Sequence, residues 1–144
     1  MKVCVMASTY TTLDRDQIAP LRILLVEDHL DTARATAKLL RFQGHAVQVA
    51  TDGQTALAAA SANPPDVALL DLDLPEMSGW EVARRLRDQA VGRRPLLVAI
   101  SGLGDSEYRR LTHEAGIDLH LLKPADPQQL FALLDRFARL LTHP

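Results

Sequence analysis

The chain has 144 residues, 47% of them hydrophobic and 24% charged, with a formal net charge of -2 at pH 7. That balance suits one globular domain around a single core, and it excludes a disordered chain or a general affinity for nucleic acid. The single cysteine, Cys4, excludes an internal disulfide and reads as an inert thiol in a protein of a reducing compartment.

Residues 1–20 stand apart from the rest. The start, 1-MKVCVMASTY-10, carries one lysine and too short an apolar core for a signal peptide. No later run approaches the roughly 20 apolar residues of a membrane span, so a cytoplasmic protein is expected. The stretch 9-TYTTLDRDQ-17 shows no sustained period. Residues 1–20 therefore read as a mostly flexible N-terminal extension, in which 3-VCVM-6 could add a short strand, and 21–144 as the folded domain.

After Pro20 a regular alternation begins. The segment 22-RILLVED-28 predicts an apolar strand ending in acids. A helix is expected over 30-LDTARATAKLLRFQG-44, with Ala33, Ala37 and Leu40 on one face and Gly44 just past its end. The short strand 46-AVQVA-50 follows. Asp52 then caps the alanine-rich helix 53-GQTALAAASA-62, which Asn63, Pro64 and Pro65 stop. The run 66-DVALLD-71 reads as a strand buried on both faces, and 79-GWEVARRLRDQA-90 as a helix with Trp80 packed at its start. A fourth apolar strand is 95-PLLVAIS-101. Asp105 is placed to cap 106-SEYRRLTHEAG-116, where Tyr108, Leu111, Thr112 and Ala115 share a face. The fifth strand is 117-IDLHLL-122. Asp126, Pro127 and Gln129 supply an N-cap, an N1 proline and an N3 glutamine before 130-LFALLDRFARLL-141. Leu130, Leu133, Leu134, Phe137 and Leu141 form the apolar face of that last helix.

Five apolar strands alternating with five helices imply an α/β fold: a doubly wound parallel sheet with helices on both faces and right-handed crossovers. Ligands of such sheets sit beyond the carboxyl ends of the strands. There the first strand offers Glu27 and Asp28, the third Asp71 with Asp73 just beyond, the fourth Ser101, and the fifth Lys123 followed by Pro124. Three or four carboxylates would face one cation, Lys123, and unneutralised like charges repel and raise one another's pKa. A hard divalent cation such as Mg²⁺ removes that difficulty, because it favours oxygen ligands and keeps positions for water or phosphate oxygens. Asp28 and Asp71 suit direct ligation, with Glu27 holding a bound water. With Lys123 and the Ser101 hydroxyl added, the site suits a phosphoryl group and an attacking carboxylate, for which Asp71 is the best placed.

These residues resemble the receiver domain of two-component response regulators. The resemblance runs from about Arg22 to Leu141 and rests on 27-ED-28, 71-DLDLPEMSG-79, 99-AISG-102 and 115-AGIDLHLLKP-124, each at a strand end and in order. It implies a flavodoxin-like (βα)5 fold with strand order 2-1-3-4-5. It further implies that Asp71 is the phosphoacceptor, that Mg²⁺ is the cofactor, and that Asp28, Asp71, the backbone carbonyl of Asp73 and Glu27 (through water) surround it. Lys123 would pair with the phosphoryl group, and Ser101 with His120 would form the switch that alters the helix four, strand five and helix five face, including Tyr108, Arg109 and Phe131. The implied donor is a histidine kinase or a histidine phosphotransfer protein. Such a domain is a signalling phosphoacceptor rather than a metabolic enzyme, with no direct nucleic-acid or membrane binding. It would act as a monomer or a weak homodimer through the helix four, strand five and helix five face. A stand-alone chemotaxis-type receiver and a piece of a hybrid kinase both fit, since only three residues follow Leu141.

Two departures from the family pattern matter. His120 stands where a tyrosine or phenylalanine is usual, so coupling from Ser101 would be weaker or sensitive to pH, unless His120 is only a partly exposed strand residue. Asp73 lies close to where a hydrolytic water would approach and could alter the lifetime of the phosphate. Rival readings are a haloacid dehalogenase-like phosphatase using Asp71 and Asp73, and a pseudo-receiver that binds partners without taking phosphate. Individually the site residues also have plain explanations: Glu27 and Asp28 as caps for the helix at Leu30, Ser101 as a turn residue, Lys123 as a solvated end. The arginines of 84-RRLRDQAVGRR-94 read as a solvated face rather than a nucleic-acid patch, because nothing aromatic interleaves them.

Overall fold

A computed structural model of the chain describes residues 19–74, 76–102 and 106–142, the side chains of 106–108 excepted. The strand suggested at 3–6, Pro75, the cap assigned to Asp105 and the side chain of Tyr108 lie outside the described residues. In chain order the elements are β1 (Arg22–Val26), α1 (Leu30–Phe42), β2 (Ala46–Ala50), α2 (Gly53–Ala62), β3 (Val67–Asp71), α3 (Gly79–Gln89), β4 (Leu96–Ser101), α4 (Ser106–Glu114), β5 (Leu119–Leu122) and α5 (Pro127–Thr142). All strand pairs are parallel and the sheet order is β2-β1-β3-β4-β5, so the predicted alternation and the flavodoxin-like order are both present. Among the described residues no helix is long and apolar enough to cross a membrane.

The chain divides into two units, Leu21–Asp126 and the segments on either side of it. Within the first unit, one sheet face gathers Leu24, Val26, Ala68, Leu70, Leu97 and Ala99 with Ala56 and Ala60 of α2, Val82, Ala83 and Leu86 of α3, and Ala115 and Ile117 after α4. Alternate strand residues Ile23, Leu25, Val67, Leu69 and Val98 are buried as well. The buried stripe of α1, Ala33, Ala37 and Leu40, belongs to a helix that contacts β1 and β2. Each large aliphatic side chain so buried contributes about 1.5–3 kcal/mol. In α5, of the five apolar positions expected to be core, Leu130 and Leu134 are buried, Leu133, Phe137 and Leu141 only half so, and Ala138 completes the stripe.

Every residue of β3 is buried, so apolar patterning alone cannot set its register. Polar contacts at its start do that. Asp66 donates its N–H to the Arg22 carbonyl at 2.8 Å, and its carboxylate accepts from the Arg22 N–H at 2.8 Å and from Arg93 at 2.7 Å. Its carbonyl accepts from Leu96 N–H at 2.9 Å, tying β4 alongside. A one-residue slip would break this set and strand a buried carboxylate. Fixing Asp66 at one end delivers Asp71 to the other.

The fifth strand starts later than the sequence reading places it. Residues 117 and 118 are not in β5, because Ile117 N–H closes the end of α4 on Thr112 and the Asp118 carboxylate binds Leu97 N–H and Arg94. The last helix starts at Pro127, as the N1 proline of the sequence predicts, since proline at the first helical position is preorganised and needs no N–H partner.

Candidate functional site at the carboxyl edge of the sheet

The strand ends bring most of the predicted residues together. Glu27 leaves β1 with its N–H on the Ala50 carbonyl at 3.0 Å and its side chain buried, while Asp28 beside it is exposed. Asp71 is the last residue of β3 and only 5% exposed. One carboxylate oxygen from each of Glu27, Asp28 and Asp71 lies within 4.8 Å of the others. The helix that follows them does not use them as caps. Its N-cap is His29, without a side-chain cap bond, so capping does not account for the acids.

Asp71 is held by its neighbours. Lys123 Nζ donates to Asp71 Oδ1 at 3.0 Å, and the Asp73 N–H donates to the same oxygen at 3.0 Å. Lys123 is in turn fixed through its main chain, donating its N–H to the Ser101 carbonyl at 2.8 Å, and its peptide bond to Pro124 is cis. Asp73 is exposed, and among the described residues the converging carboxylates are Glu27, Asp28 and Asp71, without that of Asp73.

The loop leaving Asp71 is folded back tightly. Gly79 donates its N–H to the Leu72 carbonyl at 3.2 Å, and a Cβ on Gly79 would sit 2.6 Å from Leu72 Cα and 2.7 Å from the Asp71 carbonyl oxygen. Ser78 caps α3 by accepting from Glu81 N–H at 3.2 Å. Glycine at 79 is therefore required by the close approach of two backbone segments, which explains the break after the acids.

The charges respond to this crowding. Burial, a hydrogen bond to Asp71 and repulsion from Asp71 push Glu27 up to about 7. Burial acts upward on Asp71 also, but hydrogen bonds from Asp73 N–H, Glu27 and Lys123 outweigh it and hold that carboxyl below its usual range. Lys123, though partly desolvated, is raised by its bond and attraction to Asp71. As pH falls through about 7 the Glu27–Asp71 pair takes up a proton, and it resides on Glu27. A set of hard oxygen donors short of positive charge is what a small divalent cation fits.

Ser101 ends β4 fully buried, so it is neither a solvated turn residue nor a surface hydroxyl. Its Oγ lies 2.7 Å from His120 Nε2. Reading His120 as a residue that merely follows Ser101 missed this direct bond. The signal that could have found it is the β4–β5 register, in which Ala99 is level with His120 and Ser101 with Leu122. A second contact missed from sequence joins α3 to α4: Trp80 Nε1 donates to Thr112 Oγ1 at 3.3 Å. The arginines after α3's midpoint are engaged locally. Arg84 and Arg85 pair with Glu81, Arg93 with Asp66 and Arg94 with Asp118.

Comparison with known proteins shows the family of the chain. The family model for the response regulator receiver domain matches residues 23–135. The transcriptional regulatory protein TcrA of Mycobacterium tuberculosis is 34% identical over 123 residues, which are 85% of this chain and 48% of TcrA. The chain thus spans about half the length of that relative. Among solved structures, the Vibrio cholerae chemotaxis protein CheY4 aligns with TM-score 0.77 and 27% identity, over 83% of this chain and 99% of its own. The receiver domain of the Pseudomonas aeruginosa sensor histidine kinase PA1611, solved with a magnesium ion coordinated in its active-site cleft, aligns with TM-score 0.75 and 31% identity. It covers 83% of this chain and 98% of its own. These relatives do not favour the phosphatase reading.

Proposed function

The chain belongs to the response regulator receiver domain family, and we propose that residues 21–144 act as its phosphoacceptor module, with Asp71 as the residue that takes the phosphoryl group and residues 1–20 as an extension ahead of it. The supporting observation is the Asp71 carboxylate itself: it ends a strand buried on both faces, beside Glu27 and Asp28, with Oδ1 gripped by Lys123 Nζ and Asp73 N–H. Two donors on one oxygen fix the orientation of the carboxylate, so a phosphoryl donor meets an aligned nucleophile.

The donor is a phosphohistidine of a histidine kinase or a phosphotransfer protein. An Asp71 carboxylate oxygen attacks phosphorus, the P–O bond forms as the P–N bond breaks, and the imidazole leaves with the electron pair. Lys123 exchanges part of its contact with Asp71 for a phosphoryl oxygen, and Ser101 donates a hydrogen bond to another. Asp28 and Asp71, the Asp73 carbonyl, and Glu27 through a water are assigned to Mg²⁺, a choice favoured by the crowded carboxylates and by the magnesium ion of the PA1611 receiver. When bound, the cation supplies neutralisation of phosphoryl oxygens. The acyl phosphate adds roughly -1.5 to -2 units of charge and three acceptor oxygens, and the readout passes through Ser101, β5 and α4 to a partner protein.

Incubation of the protein with Mg²⁺ and a small acyl-phosphate donor tests the assignment. Intact mass is expected to rise by one phosphoryl group, labile in base and absent from Asp71→Asn. Rapid donor hydrolysis without an adduct would support the phosphatase reading instead, and neither adduct nor turnover would support a pseudo-receiver.

A further inference from the structure

Ser101 Oγ and His120 Nε2 are 2.7 Å apart, with the hydroxyl fully buried. The imidazole reaches diagonally from β5, since its own level partner on β4 is Ala99. A separation of 2.7 Å is a hydrogen bond in either direction, and the ring's tautomer sets which group donates. Burial and the charge of Arg109 on α4 hold His120 below its ordinary value, so the ring is neutral near pH 7 and has a nitrogen free to accept. With the ring proton on Nδ1, Ser101 donates and Nε2 accepts. A serine has one proton to give, and while it is given to Nε2 it is not available to a phosphoryl oxygen.

We propose that His120 is a positioning residue for Ser101: its Nε2 holds the hydroxyl proton in the unphosphorylated protein and competes for it with the phosphoryl group on Asp71. The inference rests on the assignment of Asp71 as phosphoacceptor. A phenyl ring at this position fills the space but accepts no hydrogen bond, so the effect belongs to the imidazole and not to its bulk. Phosphorylation must break one buried neutral hydrogen bond before Ser101 can engage. The opposing contribution is that of one such bond, which corresponds to roughly a twofold to tenfold change in an equilibrium constant. His120 thereby raises the threshold for the phosphorylated state.

The test uses the full chain and beryllofluoride with Mg²⁺ as the phosphoryl mimic on Asp71. His120→Phe and His120→Asn, the second too short to reach Ser101, are expected to bind it roughly two- to tenfold tighter than the parent. His120→Gln, whose amide oxygen can occupy the place of Nε2, is expected to return to the parent affinity. Nitrogen NMR of the parent imidazole should show Nε2 unprotonated in the free protein and its environment altered on beryllofluoride addition. Equal affinity in all four proteins, or weaker binding by His120→Phe, overturns the proposal, as does a protonated Nε2 in the free parent, a reading that needs no variant to fold. If the parent binds no beryllofluoride and takes no phosphoryl group, the Asp71 assignment has failed and the positioning role falls with it. If all four bind alike, only the positioning role fails.

Discussion

Lys123 Nζ donates to Asp71 Oδ1 at 3.0 Å across a sequence separation of 52 residues. The bond joins the ends of β3 and β5, two strands that are not neighbours in the sheet, and β4 lies between them, tied to Lys123 by its N–H on the Ser101 carbonyl. One lysine thus ties together three strand ends, and it is the counter-charge to a buried carboxylate pair. Replacing it by alanine should leave Asp71 crowded by Glu27 with no cation, and should slow phosphoryl uptake from an acyl phosphate on the order of a hundredfold. Lys123→Arg should recover part of the loss. An unchanged rate in Lys123→Ala, followed by intact mass over time, would remove Lys123 from the site.

Glu27 predicts the pH dependence of stability when divalent cations are chelated. Its folded value of about 7 lies above the ordinary 4.5. A carboxyl raised in the folded state favours folding when protonated, so its contribution is complete below pH 4.5 and is lost as pH rises through about 7. Thermal midpoints should therefore fall over that window more steeply for the parent than for Glu27→Gln. Added Mg²⁺ should reduce the difference by neutralising the pair. Parallel pH profiles for the two proteins would show that Glu27 is not the protonated partner.

Gly79 tests how closely the acid-bearing loop must fold back. An added Cβ meets backbone, not a yielding side chain, at 2.6 Å from Leu72 Cα and 2.7 Å from the Asp71 carbonyl. Gly79→Ala should cost about 1–3 kcal/mol of stability and should lower phosphoryl uptake by displacing Asp71. Gly102, where a Cβ would meet nothing within 4 Å, is the matched control. Urea unfolding of both variants measures the contrast, and equal stabilities would contradict it.

The Trp80–Thr112 bond links α3, which starts at the acid loop, to α4. Thr112→Val and Trp80→Phe should each lower stability by about 1 kcal/mol. Their double variant should lose less than the sum, because one bond is removed only once. Strictly additive losses in a denaturant series would mean that the indole and the hydroxyl do not interact.

Much of this site is legible in the sequence because its residues follow apolar runs that glycine and proline punctuate. Glu27, Asp28, Asp71, Ser101 and Lys123 are each read at a strand end without knowing how the strands pair, and the cap of α2 by Asp52, which accepts from Thr55 N–H at 2.7 Å, is likewise local. What escapes depends on register. The Ser101–His120 bond needs the offset between β4 and β5, and no pattern within either strand carries it. The Asp118 carboxylate shortens β5 by binding Leu97 N–H on a neighbouring strand. The proton on Glu27 follows from how deeply Glu27 and Asp71 are buried together, which residue order cannot express.

The central claim is that Asp71 carries the phosphoryl group. Borohydride reduction of the protein after treatment with Mg²⁺ and an acyl phosphate converts a phosphorylated aspartate to homoserine, and peptide mass spectrometry locates the change. Homoserine at position 71 alone, lost when Mg²⁺ is chelated, is the result this account predicts. Homoserine at Asp28 or Asp73, or none in a protein whose fold is intact, would contradict it.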